Sequence, residues 1–117
     1  MNRPAFVRLL QSVIVDQQIW IDVVPEEEAY PALTYTHVAG DGTRLLNGDK
    51  VNRWDTWRVR IIGKSRAECD AIVALLEPLD NSRSDDFRRV MIKSSQGVPS
   101  SPNDEYVSSF VDFKTYE

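Results

Sequence analysis

The sequence holds one histidine, His37, and one cysteine, Cys69, so nucleophilic or metal chemistry has few side chains available. A catalytic nucleophile needs a base within hydrogen-bonding distance, and these two residues fall in different predicted elements. His37 lies in a predicted strand beside Tyr35, which favours a structural histidine over a catalytic one. Cys69 lies on the apolar stripe of a predicted helix, where a small buried side chain is expected.

Motifs that mark common enzyme sites are absent: there is no glycine-rich phosphate loop, no G-x-S-x-G and no zinc-ligand spacing. Asp41, Asp49 and Asp55 have the ligand type for a divalent cation and lie near glycine-containing turns. They lack the alternate spacing of an EF-hand loop, and loop aspartates commonly support turns. We therefore predict a protein that is not an enzyme, with no catalytic residue, cofactor or metal.

Length and composition indicate one globular domain over residues 1–117, with 42% hydrophobic and 27% charged residues. No apolar run approaches the roughly 18 to 20 residues of a membrane span, and no secretory signal pattern precedes the first helix. A single cysteine cannot form an internal disulfide, which fits a reducing cytoplasm.

The net charge of −4 disfavours tight binding to nucleic acid, and the charge is unevenly distributed. An acidic stretch contains Asp16, Asp22, Glu26, Glu27 and Glu28, and a mostly basic one contains Arg44, Lys50, Arg53, Arg58, Arg60, Lys64 and Arg66. These stretches are either two solvated surfaces or opposite patches that meet between neighbouring subunits.

Two amphipathic helices are predicted. The first has an apolar stripe at helical spacing that comprises Phe6, Leu9, Leu10, Val13 and Ile14. The second follows the capping-box pattern of Ser65 and Glu68 and carries Cys69, Ile72, Leu75, Leu76 and Leu79 along one stripe. Pro78 disfavours helical backbone at the residue before it, so this helix is expected to end at or before Glu77.

Five extended segments surround these helices. The strongest strand pattern is residues 53–63, where Trp57, Val59 and Ile61 alternate with Thr56, Arg58 and Arg60. Residues 19–24, 87–94 and 106–116 are also predicted strands, whereas the facing of residues 32–39 stays open because neither alternate set is cleanly apolar. The order predicts an α+β fold with a mostly antiparallel β-sheet and two main helices packed on one face.

Residues 40–49 and 94–105 are predicted to be long loops. Leu45 and Leu46 are large apolar residues in the first loop, and they either fold back on the domain or contact a partner. Trp54 is predicted on the strand face opposite Trp57, where it either covers an edge or anchors an interface.

The order of these features resembles the tail-terminator, or tail-completion, family of long-tailed, lambda-like bacteriophages. The motifs are WIDVVP at residues 20–25, YPALTY at 30–35 and TWRVRIIG at 56–63, followed by a helix with Ala67-Glu68 and Leu75-Leu76. The resemblance extends over residues 3–116 and rests on order and spacing.

This resemblance implies a structural virion protein that forms a homo-oligomeric, usually hexameric, ring. Such a ring caps the tail tube and joins it to the head connector or neck protein, and phage DNA only passes through its pore. The implied location is the head-proximal end of the tail, after assembly in the bacterial host cytoplasm, with no membrane partner and no cofactor. The alternatives are a head-closure or neck protein of the same joint, and a small non-catalytic regulatory binding domain.

The residues expected at subunit or ring interfaces are Glu26, Glu27, Glu28, Leu45, Leu46, Arg53, Trp54, Arg58 and Arg60. Separate acidic and basic patches on one chain suit a head-to-tail contact, which closes into a ring when the rotation allows. We expect Arg58→Glu or Arg60→Glu to weaken assembly while the monomer stays folded.

Overall fold

The computed structural model describes residues 3–14, 19–22, 31–44, 50–99 and 106–117. In chain order the elements are helix α1 (Arg3–Gln11), strands β1 (Ile19–Ile21), β2 (Ala32–Arg44) and β3 (Lys50–Gly63), helix α2 (Arg66–Leu76) with a 3-10 turn (Glu77–Leu79), and strands β4 (Arg89–Gly97) and β5 (Val107–Tyr116). The predicted order of elements and the α+β class are confirmed.

The five strands form one sheet in the order β1-β2-β3-β5-β4. The pairings of β2 with β3, β3 with β5 and β5 with β4 are antiparallel, as predicted. The exception is β1, which runs parallel to β2 with Ile19 beside Leu33 and Ile21 beside Tyr35. The sheet is therefore mixed, and its parallel part is one short edge strand.

The alternation of β3 separates a helix-covered face from an outer face. Trp57, Val59 and Ile61 are fully buried beneath the helices, whereas Arg58 and Arg60 are exposed on the opposite side. Phe6 of α1 stacks on Trp57 with ring centroids 4.4 Å apart. Cys69 of α2 lies over the other end of β3, with its Sγ 3.8 Å from the Ile61 carbonyl oxygen. Both helices thus pack on one face, as predicted.

Helix α2 begins with the predicted capping box. The Ser65 hydroxyl accepts a hydrogen bond from the Glu68 backbone N–H, and the Glu68 carboxylate accepts one from the Lys64 backbone N–H. The helix ends at Leu76, and Pro78 lies in the 3-10 turn that follows. The placement of Leu75 on the buried stripe was wrong: its side chain is 47% exposed, because Cys69, Ile72 and Leu76 fill the contact with the sheet.

The first half of the predicted loop at residues 40–49 is strand, and residues 45–49 lie outside the described ranges. β2 continues through the glycines to Arg44, and its pairing with β3 extends to Thr43 opposite Val51 and Arg44 opposite Lys50. Strand β5 pairs with β3 as far as Trp54, which lies opposite Tyr116, and the Glu117 N–H still donates to the Arg53 carbonyl oxygen. Residues 42–44 and 50–52 therefore form a two-stranded extension, the β2–β3 arm, which continues about 10 Å past Arg53 at the usual rise of a strand.

An arginine side chain joins α2 to the base of the segment between β4 and β5. Arg66 Nη1 donates to the Ser108 carbonyl oxygen and the Ser109 hydroxyl, and Nη2 donates to the Val98 carbonyl oxygen, at 2.8–2.9 Å. A Cβ at Gly97 would lie 2.8 Å from Arg66 Nη1, so glycine leaves room for the guanidinium. The predicted loop at residues 94–105 starts later than expected, because β4 runs to Gly97.

The molecule is elongated, with principal extents of 56 × 24 × 22 Å. Its radius of gyration is 15.4 Å, compared with about 13 Å for a compact domain of this length. Within the described ranges, no helix has the length and apolar character needed to cross a membrane.

Candidate interaction surface

The outer face of the sheet is built from alternate residues of β3 and β5. The cross-strand neighbours on this face are Trp54 and Tyr116, Arg58 and Asp112, and Arg60 and Phe110. The two described helices pack on the other face; Arg58 and Arg60 are exposed on this one, and the rings of Trp54, Phe110 and Tyr116 are partly exposed. Aromatic rings and arginines are the residue types enriched at protein interfaces.

Cations on this face lie over aromatic rings. The Arg58 guanidinium carbon is 5.0 Å from the centroid of Phe110, and that of Arg60 is 5.8 Å from the same ring. Lys114 Nζ lies 4.5 Å from the centroid of Trp54 and 5.3 Å from that of Tyr116. These contacts hold flexible basic side chains flat against the sheet, which lowers the entropy that they lose when a partner binds.

Arg58 of β3 and Asp112 of β5 form a bidentate ion pair. Arg58 Nε and Nη2 donate to the two Asp112 carboxylate oxygens, and the Ser94 hydroxyl donates to the second. The hydrogen bond from Arg58 lowers the pKa of Asp112, and the same bond raises the pKa of Arg58. The charge of Arg58 is thus already compensated inside the monomer.

The structure brings part of the expected interface together. Trp54, Arg58 and Arg60 share the outer face, whereas Arg53 is exposed where the pairing of β3 with β2 becomes irregular. The remaining expected residues lie outside the described ranges: Glu26, Glu27, Glu28, Leu45 and Leu46. The two leucines follow Arg44, the last described residue of the β2–β3 arm on its β2 side.

A polar pair that the sequence did not reveal lies at the base of the arm. His37 Nε2 and Asp55 Oδ1 are 2.7 Å apart, and the side chain of Asp55 is 5% exposed. The imidazole ring meets Trp57 edge-on at 5.0 Å. A Cβ at Gly40 would overlap the Asp55 carboxylate, so glycine is required where β2 passes this pair. The arrangement fits the structural role predicted for His37.

The contact between His37 and Asp55 also affects the aspartates that were considered as ligands for a divalent cation. Asp55 is turned inward against His37, and Asp49 lies outside the described ranges. Among the described residues, no group of three or more histidine, cysteine, aspartate or glutamate side chains has the geometry to hold a metal ion.

An arginine-lined cleft lies at the β4 edge of the sheet. It encloses about 670 Å³ and is lined by Asn81, Arg83, Arg88, Arg89 and Tyr116. These arginines were not predicted to form a site, because they lie around a polar connection without periodicity. The one sequence feature that could have indicated a basic site is the close spacing of three arginines between positions 83 and 89.

In comparisons with known proteins, no protein-family model matches the chain and no curated protein matches it significantly.

Proposed function

We propose that the protein is a ring-forming structural subunit that terminates the tail of a long-tailed bacteriophage. The sequence support is the resemblance of the motifs at residues 20–25, 30–35 and 56–63 to the tail-terminator family. The structural observation behind the proposal is the β2–β3 arm. A two-stranded ribbon is marginally stable alone in water, so an arm of this kind gains stability when it packs against another molecule.

The sequence at the end of the arm supports a contact with a neighbour. Leu45 and Leu46 occupy the short segment that joins Arg44 to Lys50. Contact of these two adjacent leucines with a neighbouring subunit would bury apolar area worth roughly 25 cal/mol per Å².

The outer face supplies a second surface of a different character. Trp54, Arg60 and Phe110 combine aromatic area with positive charge, which complements the acidic stretch at Glu26–Glu28 of another copy. Two unlike surfaces on one chain generate head-to-tail contacts, the kind that build rings.

The first experiment measures the native mass across concentration and images the particles by negative stain. A hexameric ring has six times the 13.4 kDa mass of the monomer. In the arm-shortened variant, Asn-Gly replaces residues 43–51. We expect it to remain folded by circular dichroism and to lose the ring. The control is Leu75→Asp, which changes an exposed leucine on α2 away from the arm.

Copurification then separates the tail terminator from a head-closure or neck protein. The terminator is expected on isolated tail tubes, whereas a neck protein is expected on filled heads. A chain that stays monomeric at all concentrations and binds neither particle contradicts the proposal.

A further inference from the structure

The arginine-lined cleft is held in shape by the backbone around it. Asn81 has a left-handed backbone (φ 61°), and Ser82 forms an isolated bridge with Val90 of β4. The Arg88 N–H donates to the Tyr116 carbonyl oxygen at 2.7 Å, which joins the cleft to the end of β5. Phe87, beside these arginines, is fully buried in the core. The cleft walls are therefore fixed before any ligand arrives.

The chemistry of the walls selects an anion. Three of the five lining residues are arginines, and no carboxylate from the described part of the chain lines the cleft. Arg89 Nη2 donates to Asn81 Oδ1 at 3.1 Å, so a neutral amide orients this guanidinium without cancelling its charge. Guanidinium groups bind phosphate oxygens through paired hydrogen bonds, which makes phosphate a suitable occupant.

Aromatic surface continues from the cleft onto the outer face. Tyr116 lines the cleft and lies opposite Trp54 in the neighbouring strand, and Lys114 Nζ contacts both rings. Rings and cations side by side on an open sheet face are the combination that stacks bases and follows a phosphate backbone in single-stranded nucleic acid binding.

We propose that this cleft binds the phosphate of a nucleotide unit whose base stacks on Tyr116 and Trp54. The unit belongs either to a free nucleotide or to single-stranded nucleic acid, since both present the same phosphate and base. With a net charge of −4 on the chain, binding is of modest strength and falls steeply with salt. This site does not require the ring-forming function, but it shares Trp54 with the outer face proposed for subunit contacts.

The test uses fluorescence anisotropy of the full chain with a labelled oligothymidylate of about twelve nucleotides, a length that a small single-strand-binding domain covers. Arg83→Gln and Arg89→Gln are each expected to weaken binding about tenfold and to reduce the slope of affinity against salt by about 0.7. Tyr116→Ile is expected to weaken binding by a similar factor through loss of stacking. The control is Lys64→Gln, which removes one positive charge at the opposite end of β3 and should leave binding unchanged.

Competition identifies the source of the ligand. If thymidine monophosphate displaces the probe as well as an unlabelled oligomer of equal nucleotide concentration, the free nucleotide is the ligand; if the oligomer is much stronger, the ligand is single-stranded nucleic acid. Either result supports the site. Equal competition by inorganic phosphate or by a polyglutamate peptide overturns it, as does an equal loss of binding in Lys64→Gln.

Discussion

Arg58 and Asp112 face each other across β3 and β5, with Arg58 Nε 2.9 Å from Asp112 Oδ1 and Nη2 3.2 Å from Oδ2. The Arg58 side chain is 47% exposed and that of Asp112 is 19% exposed, so solvent partly screens the pair. The basic side chain expected to meet a neighbour's acidic patch therefore has a partner within its own sheet.

Loss of this ion pair is expected to show in the pH dependence of stability. The pKa of Asp112 is lowered by Arg58, so its stabilising contribution is present above the unfolded-state pKa of about 3.9 and is lost as pH falls through the folded-state pKa. Asp112→Asn should cost about 0.5–1 kcal/mol of unfolding free energy at neutral pH and less under acid. Urea unfolding of both proteins at neutral and at acid pH measures this difference in unfolding free energy. An equal cost at the two pH values would contradict the stabilising role of the ion pair.

Charge reversal at Arg60 is the cleaner test of the proposed subunit contacts. Arg58→Glu would set two carboxylates opposite each other on neighbouring strands, which destabilises the monomer itself. Arg60 lies opposite Phe110 instead, so Arg60→Glu is expected to leave the fold intact and weaken subunit association about tenfold or more. Native mass with Lys64→Glu as control checks this. Unchanged oligomer mass at low and moderate salt would remove Arg60 from the interface.

The pair of His37 and Asp55 is expected to stabilise the base of the arm. His37→Ala removes a hydrogen-bond partner from a carboxylate that is 5% exposed, which should cost about 2 kcal/mol of unfolding free energy. The emission of Trp57 should also shift, because the imidazole contacts its ring. Thr36→Val is the control, since Thr36 is exposed on β2. A loss no larger than that of the control would show that the pair contributes little.

Cys69 is expected to resist thiol reagents in the folded protein. Burial raises the pKa of the Cys69 thiol, so the native state keeps its proton to higher pH than the unfolded chain. Stability should accordingly decline as pH rises through the unfolded thiol pKa of about 8.5. Labelling by an aromatic disulfide should be at least about a thousandfold slower in buffer than in urea. Rapid labelling in buffer would show that this face of α2 opens locally.

Local patterns were sufficient to predict much of the fold. The alternation from Trp57 to Ile61 identified both faces of β3, and the Ser65–Glu68 capping box located the start of α2, because each depends on neighbours in sequence. The facing of β2 could not be read, since Leu33 and Thr34 are both buried and so neither face of that stretch is solvent-exposed. The parallel pairing of β1 depends on distant contacts that no local pattern encodes.

The candidate sites depended more on tertiary structure. The pair of His37 and Asp55 requires the register of β2 against β3, including the irregularity between His37 and Ala39, which alternation alone does not reveal. The arginine-lined cleft forms only when the segment before β4 meets Tyr116 at the end of β5. Glycine-rich sequence also suggested a turn at Gly40, where the glycine instead makes room for a neighbouring carboxylate.

The three hydrogen bonds from Arg66 close the base of the segment between Val98 and Ser108, so this part of the chain is anchored at both ends by the folded domain. Insertions or replacements within residues 100–105 leave those anchors untouched, and the entropy of closing a longer loop rises only slowly with its length. This segment is therefore the place to insert an affinity tag or a fluorophore. It is also where related chains could diverge in sequence while keeping the same sheet.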